Sequence, residues 1–376
     1  VTLKDLPTPA VIIDRSRAMA NIDRMQEAAD KRGIRMRPHA KTHKSPTVAR
    51  WQVDRGAIGI CCAKLGEAEV FAAAGFTDIR VPYPINPINA PRVLGLLERT
   101  DFSFIVDHLD VAHGWSAAMT AAGRTVDVLV KVDVGFHRCG IAPDPHTALP
   151  FITAIGRLPG LRLRGLLSHA GHAYHATSPD HLRSMAEDEA RTLRELADAV
   201  RSRHVHIEEL SAGATPTARF SLAQDGLTEY RAGNYVYFDR TQVGLGAASI
   251  DDCALTVLAT VVSKPASDRI ILDCGSKTLA ADGARGFSPT SGHGAIFPGL
   301  AVNPGDRPDE GLLVERLSEE HATVRVADGR TSLEPGDRVR IVPNHSCVVS
   351  NLVDQGWMVE GSVIEPLPIA ARGKIT

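Results

Sequence analysis

The 376-residue sequence has almost no net charge: 42 Lys and Arg stand against 44 Asp and Glu, a formal charge of −2. Without a strong positive field there is nothing to hold polyanionic nucleic acid or an acidic membrane, so neither is an expected partner. Cysteine is scarce too. Cys61, Cys62, Cys139, Cys253, Cys274 and Cys347 form no CxxC spacing and are too few for a disulfide scaffold, so reduced thiols are expected. No apolar run approaches the roughly 18 residues of a membrane span. Residues 1–14 lack the basic and apolar regions of a signal peptide, which makes the cytoplasm the expected compartment.

What is present is an apolar content of 44% with 23% charged residues, enough to build either one large barrel or two domains. From residue 16 onward, strand-like runs at 35–40, 58–63, 78–84, 103–107, 127–133, 162–169, 206–213 and 228–239 alternate with helical patterns. Stretches 17–31, 66–74, 111–122 and 181–201 carry the helical spacing most clearly. Eight such units predict an α/β fold with a (β/α)8 TIM-type barrel over 16–245. Past residue 246 the runs 254–264, 269–273, 322–326, 338–343 and 357–360 are separated by Gly, Pro and Asp turns, with no helix expected between them. They predict a mainly antiparallel β domain over 246–376. Residues 282–308, rich in Gly, Pro and Ser, read as a long loop ordered against a partner surface.

In a barrel of this kind the functional groups gather at the C-terminal ends of the strands. Those ends read RPHAKTHK at 37–44, DVGFHR at 133–138, SHAGHAYH at 168–175, SAGATPT at 211–217 and RAGNY at 231–235. The last two lie where barrels commonly bind a phosphate through main-chain N–H groups and hydroxyls, which nominates Ser211, Gly213, Thr215, Gly233, Asn234 and Tyr235. A turn opening a helix is the plainer reading of SAGAT. A lysine after strand one faces this position across the mouth and is placed for a Schiff base with an aldehyde cofactor, pyridoxal phosphate being the obvious candidate. From spacing alone, the plainer reading of Lys41 and Lys44 is as solvated cations after a strand.

Near the C-terminus, His345 and Cys347 are two residues apart, so in an extended strand both project to one side. Imidazole plus thiolate favours Zn²⁺ over the harder Mn²⁺ or Mg²⁺. His169, His172 and His175 form a cluster that serves either catalysis or a solvated contact between domains. The other five cysteines read as packing residues.

Together PHAKTHK, VDVGFHRCG, HAGHAY, SAGATPT, TEYRAGNYVYFD and PNHSC resemble the D-threonine aldolase and D-serine dehydratase family of alanine-racemase-type (fold type III) pyridoxal-phosphate enzymes, in order along essentially the whole chain. The resemblance implies that Lys41 carries the cofactor, with His39 and Arg138 beside it and Lys44 a solvated neighbour. It also implies that residues 1–15 join the β domain, that a metal on His345 and Cys347 binds the β-hydroxyl of a D-3-hydroxy amino acid, and that the protein is a head-to-tail homodimer. His-x-Cys is the dehydratase form of the metal motif, whereas His175 falls at the aldolase position of the base, with His172 one slip of the loop away.

The expected reaction is retro-aldol cleavage of D-threonine-type substrates to glycine and an aldehyde. The alternative is dehydration of D-serine or D-threo-3-hydroxyaspartate to a 2-oxo acid and ammonia, which follows if Lys41 removes the α-proton. Racemases of this fold take a second base from a tyrosine of the β domain, but Tyr83, Tyr174, Tyr230, Tyr235 and Tyr237 all precede residue 246. A non-catalytic pyridoxal-phosphate carrier of the single-barrel type would lack the β domain altogether.

Overall fold

The computed structural model describes residues 2–287 and 291–376. Its strands, in chain order, begin with β1 (Ala10–Asp14), followed by β2 (Arg35–Met36), β3 (Ile60–Cys61), β4 (Asp78–Pro84) and β5 (Asp101–Val106). Next come β6 (Val126–Lys131), β7 (Leu161–Leu167), β8 (Glu209–Ala212) and β9 (Glu229–Tyr230). Strands β2 to β9 form one parallel eight-stranded sheet in the order β2-β9-β8-β7-β6-β5-β4-β3. A parallel bridge between His39 and Cys61 joins its two edges and closes the barrel. Closure needs a close approach at Gly233, where a Cβ would lie 2.9 Å from the His39 carbonyl oxygen.

The connecting helices follow the apolar spacing of the sequence. Helix Pro179–Arg201 begins at Ser178, whose side chain accepts from the His181 N–H, and has proline in its first turn. Leu182, Ala186, Ala190, Leu193 and Ala197 then bury one face against the sheet, each leucine contributing roughly 1.5–3 kcal/mol. Strand eight is shorter than the run 228–239, because after Tyr230 the chain passes through Gly233 into the turn Asn234–Val236.

The remaining strands are β10 (Leu255–Ala266), β11 (Arg269–Leu272), β12 (Gly294–Pro298), β13 (Leu312–Leu317), β14 (Ala322–Val326), β15 (Arg338–Pro343), β16 (Gln355–Glu360) and β17 (Val363–Pro368). β10, β11, β14, β13, β12 and β15 close on one another as a second, antiparallel barrel, and β1, β16 and β17 extend it from β10. Alternate residues Val257, Ala259, Val261, Val339 and Ile341 are buried within it. Residues 282–308 are therefore not one long loop. Gly294–Pro298 pairs antiparallel with β15, Ala295 opposite Val342, while residues 288–290 lie outside the described residues. Short helices Ser276–Leu279 and Ser346–Asn351 also interrupt the β region. No helix among the described residues is long and apolar enough to cross a membrane.

Candidate active site

The C-terminal mouth of the parallel barrel opens into a cavity of about 660 Å³, within the size range of small-molecule and cofactor sites. Lys41 lies on its wall in the turn Ala40–Thr42 that follows β2. Burial holds its ammonium below the usual lysine range; Cys347 opposes that shift, and Arg138 and Arg231 reinforce it. Lys44 is not a solvated neighbour. It is buried and ion-paired with Glu67 at 2.7 Å, in a left-handed conformation with φ of 51°. Of the two lysines, Lys41 is the one without a carboxylate partner among the described residues.

His39 lies beside Lys41, and its Nδ1 accepts from the Lys41 main-chain N–H at 3.5 Å. Burial, then the charges of Lys41 and Arg231, hold it neutral. His169 also lines the cavity and donates from Nδ1 to the Gly213 carbonyl at 2.6 Å, with burial again keeping the ring neutral. Arg138 faces the same space, its guanidinium stacked 4.9 Å from the Phe136 ring centroid.

Gly213, Thr215, Gly233 and Asn234 line the cavity, whereas the Ser211 and Tyr235 side chains do not. Ser211 Oγ points into the barrel interior, donating to Glu229 and accepting from Arg231 Nε, both at 2.6 Å. Tyr235 is buried behind the turn, where its hydroxyl accepts from Gln52 at 3.0 Å. The glycines have a different reason from the one their motif implies. A Cβ on Gly213 would meet the Arg231 main chain at 2.8 Å, so neighbouring strands occupy that space. The Asn234 side chain is turned toward the metal motif, with Nδ2 2.6 Å from Asp239 Oδ2 and 3.4 Å from Cys347 Sγ. Its Oδ1 is buried without a partner.

The loop after β7 divides its histidines. His175 lines the cavity; His172 does not, its ring lying beside Gly135 with Nδ1 buried and unpartnered. Tyr174, between them, also reaches the cavity and accepts from Gln242 at 3.3 Å.

His345 and Cys347 both line the cavity, but not from an extended strand. His345 is the cap residue of helix Ser346–Asn351, and Cys347 sits in the first turn. The Asp239 carboxylate starts that helix by accepting from the Ser346 N–H at 3.0 Å. The helix start, not a β pleat, brings the two side chains to the same cavity. Burial opposes the charge on His345, yet Cys347, Asp239 and Asp282 lift it to about 10. Burial likewise opposes the Cys347 thiolate, which His345 and the Thr42 hydroxyl, 3.2 Å away, hold below the usual thiol range.

These donors fit both groups that the sequence implies. A thiolate and an imidazole suit a soft divalent ion. Among the described residues no three His, Cys, Asp or Glu side chains form a metal cage, so an ion here would take two protein ligands. An anionic cofactor suits the cationic wall. That wall includes Lys131 and Arg231, which motif reading missed: both are buried inward-facing residues near strand ends, Lys131 lowered to about 7 by burial and then by Arg231.

Residues 13–241 match the family model for the alanine racemase N-terminal domain, and residues 254–359 match that of the putative serine dehydratase domain. The chain is 37% identical over 358 residues to D-threo-3-hydroxyaspartate dehydratase of Delftia sp. strain HT23, covering 92% of each chain. It is 34% identical over 381 residues to an Arthrobacter D-threonine aldolase, covering 99% of this chain and 94% of that one. The solved Delftia dehydratase superposes with a TM-score of 0.90 at 34% identity, covering 98% of both chains; that enzyme is also known as a cysteine-to-alanine variant in a metal-free form. The chain thus belongs to the family that joins an alanine-racemase N-terminal domain to a serine dehydratase domain.

Proposed function

We propose that the protein is a pyridoxal-phosphate- and metal-dependent lyase that cleaves D-3-hydroxy amino acids of the D-threonine type to glycine and an aldehyde. The observation that carries this reading is that Lys41, His175, His345 and Cys347, from three loops and two domains, all line one cavity. Pyridoxal phosphate, held by Lys41 with His39, Arg138, Gly213, Thr215 and Gly233 around it, would supply an aldehyde for the substrate amine and a conjugated ring that takes up electrons from a bond broken at Cα. A divalent ion on His345 and Cys347, with Zn²⁺ favoured by the thiolate, would supply a Lewis acid for the β-hydroxyl.

The chain's own groups do the rest. His175 accepts the β-hydroxyl proton, the hydroxyl oxygen becomes the aldehyde carbonyl as the Cα–Cβ bond opens, and a proton returned to Cα leaves glycine. Neutral His39 and His169 add no positive charge near Lys41, whose ammonium is destabilised by burial. The same destabilised ammonium favours a second reading. If Lys41 takes the α-proton instead, the β-hydroxyl leaves and the products are a 2-oxo acid and ammonia, the reaction named for the 37% identical Delftia relative. Racemisation is disfavoured because residues 246–376 hold no tyrosine. A homodimer belongs to the same reading and would cover Ile375, which is exposed and lines the cavity.

Protein supplied with pyridoxal phosphate and Zn²⁺ should convert D-threonine to glycine and acetaldehyde. Formation of 2-oxobutyrate with ammonia from D-threonine, or pyruvate with ammonia from D-serine, in place of glycine would select the second reading.

A further inference from the structure

Histidines that bind metals commit one ring nitrogen to the ion and the other to an acceptor, which fixes tautomer and ring direction. His345 has such an acceptor in Asp282. Its Nδ1 lies 2.5 Å from Asp282 Oδ2, which leaves Nε2 as the nitrogen free to meet Cys347 and the cavity. Asp282 is itself fixed: its carbonyl accepts from Asn344 Nδ2 at 3.0 Å, and the same amide group reaches the Gly292 carbonyl at 2.9 Å. The residue before His345 thus holds the main chain of Asp282, while the Asp282 side chain holds the imidazole. Cys347 is held from the opposite side, by Thr42 and Asn234 of the barrel. The two halves of the motif therefore have separate supports, one in each domain.

We propose that Asp282 is a positioning residue for metal binding: its carboxylate sets the tautomer and direction of the His345 ring so that Nε2 and Cys347 Sγ converge on one divalent cation. This rests on the metal reading above and adds a residue that lies 63 positions from its partner. Asp282 acts through His345 and not as a third ligand, in keeping with the lack of a three-residue cage among the described residues.

The test measures Zn²⁺ affinity of the metal-depleted full chain by competition with a fluorescent chelator, for the unsubstituted protein and the D282A, D282N and H345A variants. D282A should bind Zn²⁺ roughly 10- to 100-fold more weakly, and D282N should fall between, since an amide still accepts from Nδ1–H but less strongly. The apoprotein's unfolding temperature and the visible absorption of bound pyridoxal phosphate should not move. Should D282A lower that temperature, D282N carries the test. Variants at 282 that hold Zn²⁺ as tightly as the unsubstituted chain, while H345A loses it, overturn the assignment of Asp282 alone. If H345A also binds as tightly, the metal reading falls and the role of Asp282 with it.

Discussion

The two ends of the parallel barrel are both rich in cations, and they treat them in opposite ways. In the interior and at the N-terminal end, Arg37 pairs with Glu229 at 2.7 Å and with Asp78, and Arg80 pairs with Glu229 at 2.6 Å and Glu209 at 2.8 Å. Arg164 reaches Asp127, Glu208 and Glu209. At the C-terminal mouth, Lys41, Lys131, Arg138 and Arg231 line one cavity, and among the described residues their one ion pair is Arg231 with Glu229 at 3.9 Å. A buried cation with its carboxylate holds the fold together; a cluster without them is arranged for an anionic ligand. Lys41 and Lys44 repeat the contrast within one turn: Glu67 pairs with the second at 2.7 Å, whereas burial lowers the first.

The comparison can be broken by substitutions at each end. The largest effect is expected from Lys41→Ala, which should abolish lyase turnover and the visible absorption of bound cofactor while leaving the apoprotein's unfolding temperature unchanged. His175→Ala should lower kcat/KM for retro-aldol cleavage by roughly 10²- to 10⁴-fold, whereas His172→Ala, outside the cavity, should stay near the unsubstituted value; steady-state kinetics with D-threonine reads both. At the other end the pattern should invert. Arg80→Met takes one guanidinium from each of the buried carboxylates Glu209 and Glu229, leaving Arg164 on the first and Arg37 on the second, and should cost up to roughly 3–5 kcal/mol in denaturant unfolding, with kcat/KM retained wherever the protein is folded.

The smallest effect is a pH dependence. Burial would raise the Glu229 carboxyl, but Arg80 and Arg37 outweigh it and hold it below the usual carboxylate range. A carboxyl depressed on folding stabilises the protein above its unfolded pKa, about 4.3, and loses that contribution as the pH falls further. Unfolding measured between pH 7 and 3 should therefore show acid destabilisation that is reduced in Glu229→Gln.

The eight barrel strands are legible in the sequence because each is an apolar run bounded by turn residues and several are followed by a helix of clear amphipathic spacing, as in 181–201. β12, β13 and β17 are not. Gly294–Pro298 carries glycine and proline at its ends, Leu312–Leu317 is bent by a shift of register at Val314 to Arg316, and Val363–Pro368 has only buried Leu367 to mark it. Their pairing partners are distant, and no local pattern reports them. Of the residues lining the cavity, Lys41, His175 and the His345/Cys347 pair stand in motifs that the sequence shows, but Arg231, Lys131, Tyr174 and Asp282 reach it only because separate strands converge. Ser211 and Tyr235 lie outside the cavity for the complementary reason, since the alternation of side chains along strand and turn sends theirs away from it.

Lys41, buried at the C-terminal mouth without a carboxylate partner among the described residues, is the proposed carrier of the cofactor. Borohydride reduction of the pyridoxal-phosphate-loaded protein, followed by mass spectrometry of its peptides, tests this directly. The reduced pyridoxyl label is expected on Lys41; a label on Lys44 or Lys131 with Lys41 unmodified would contradict it.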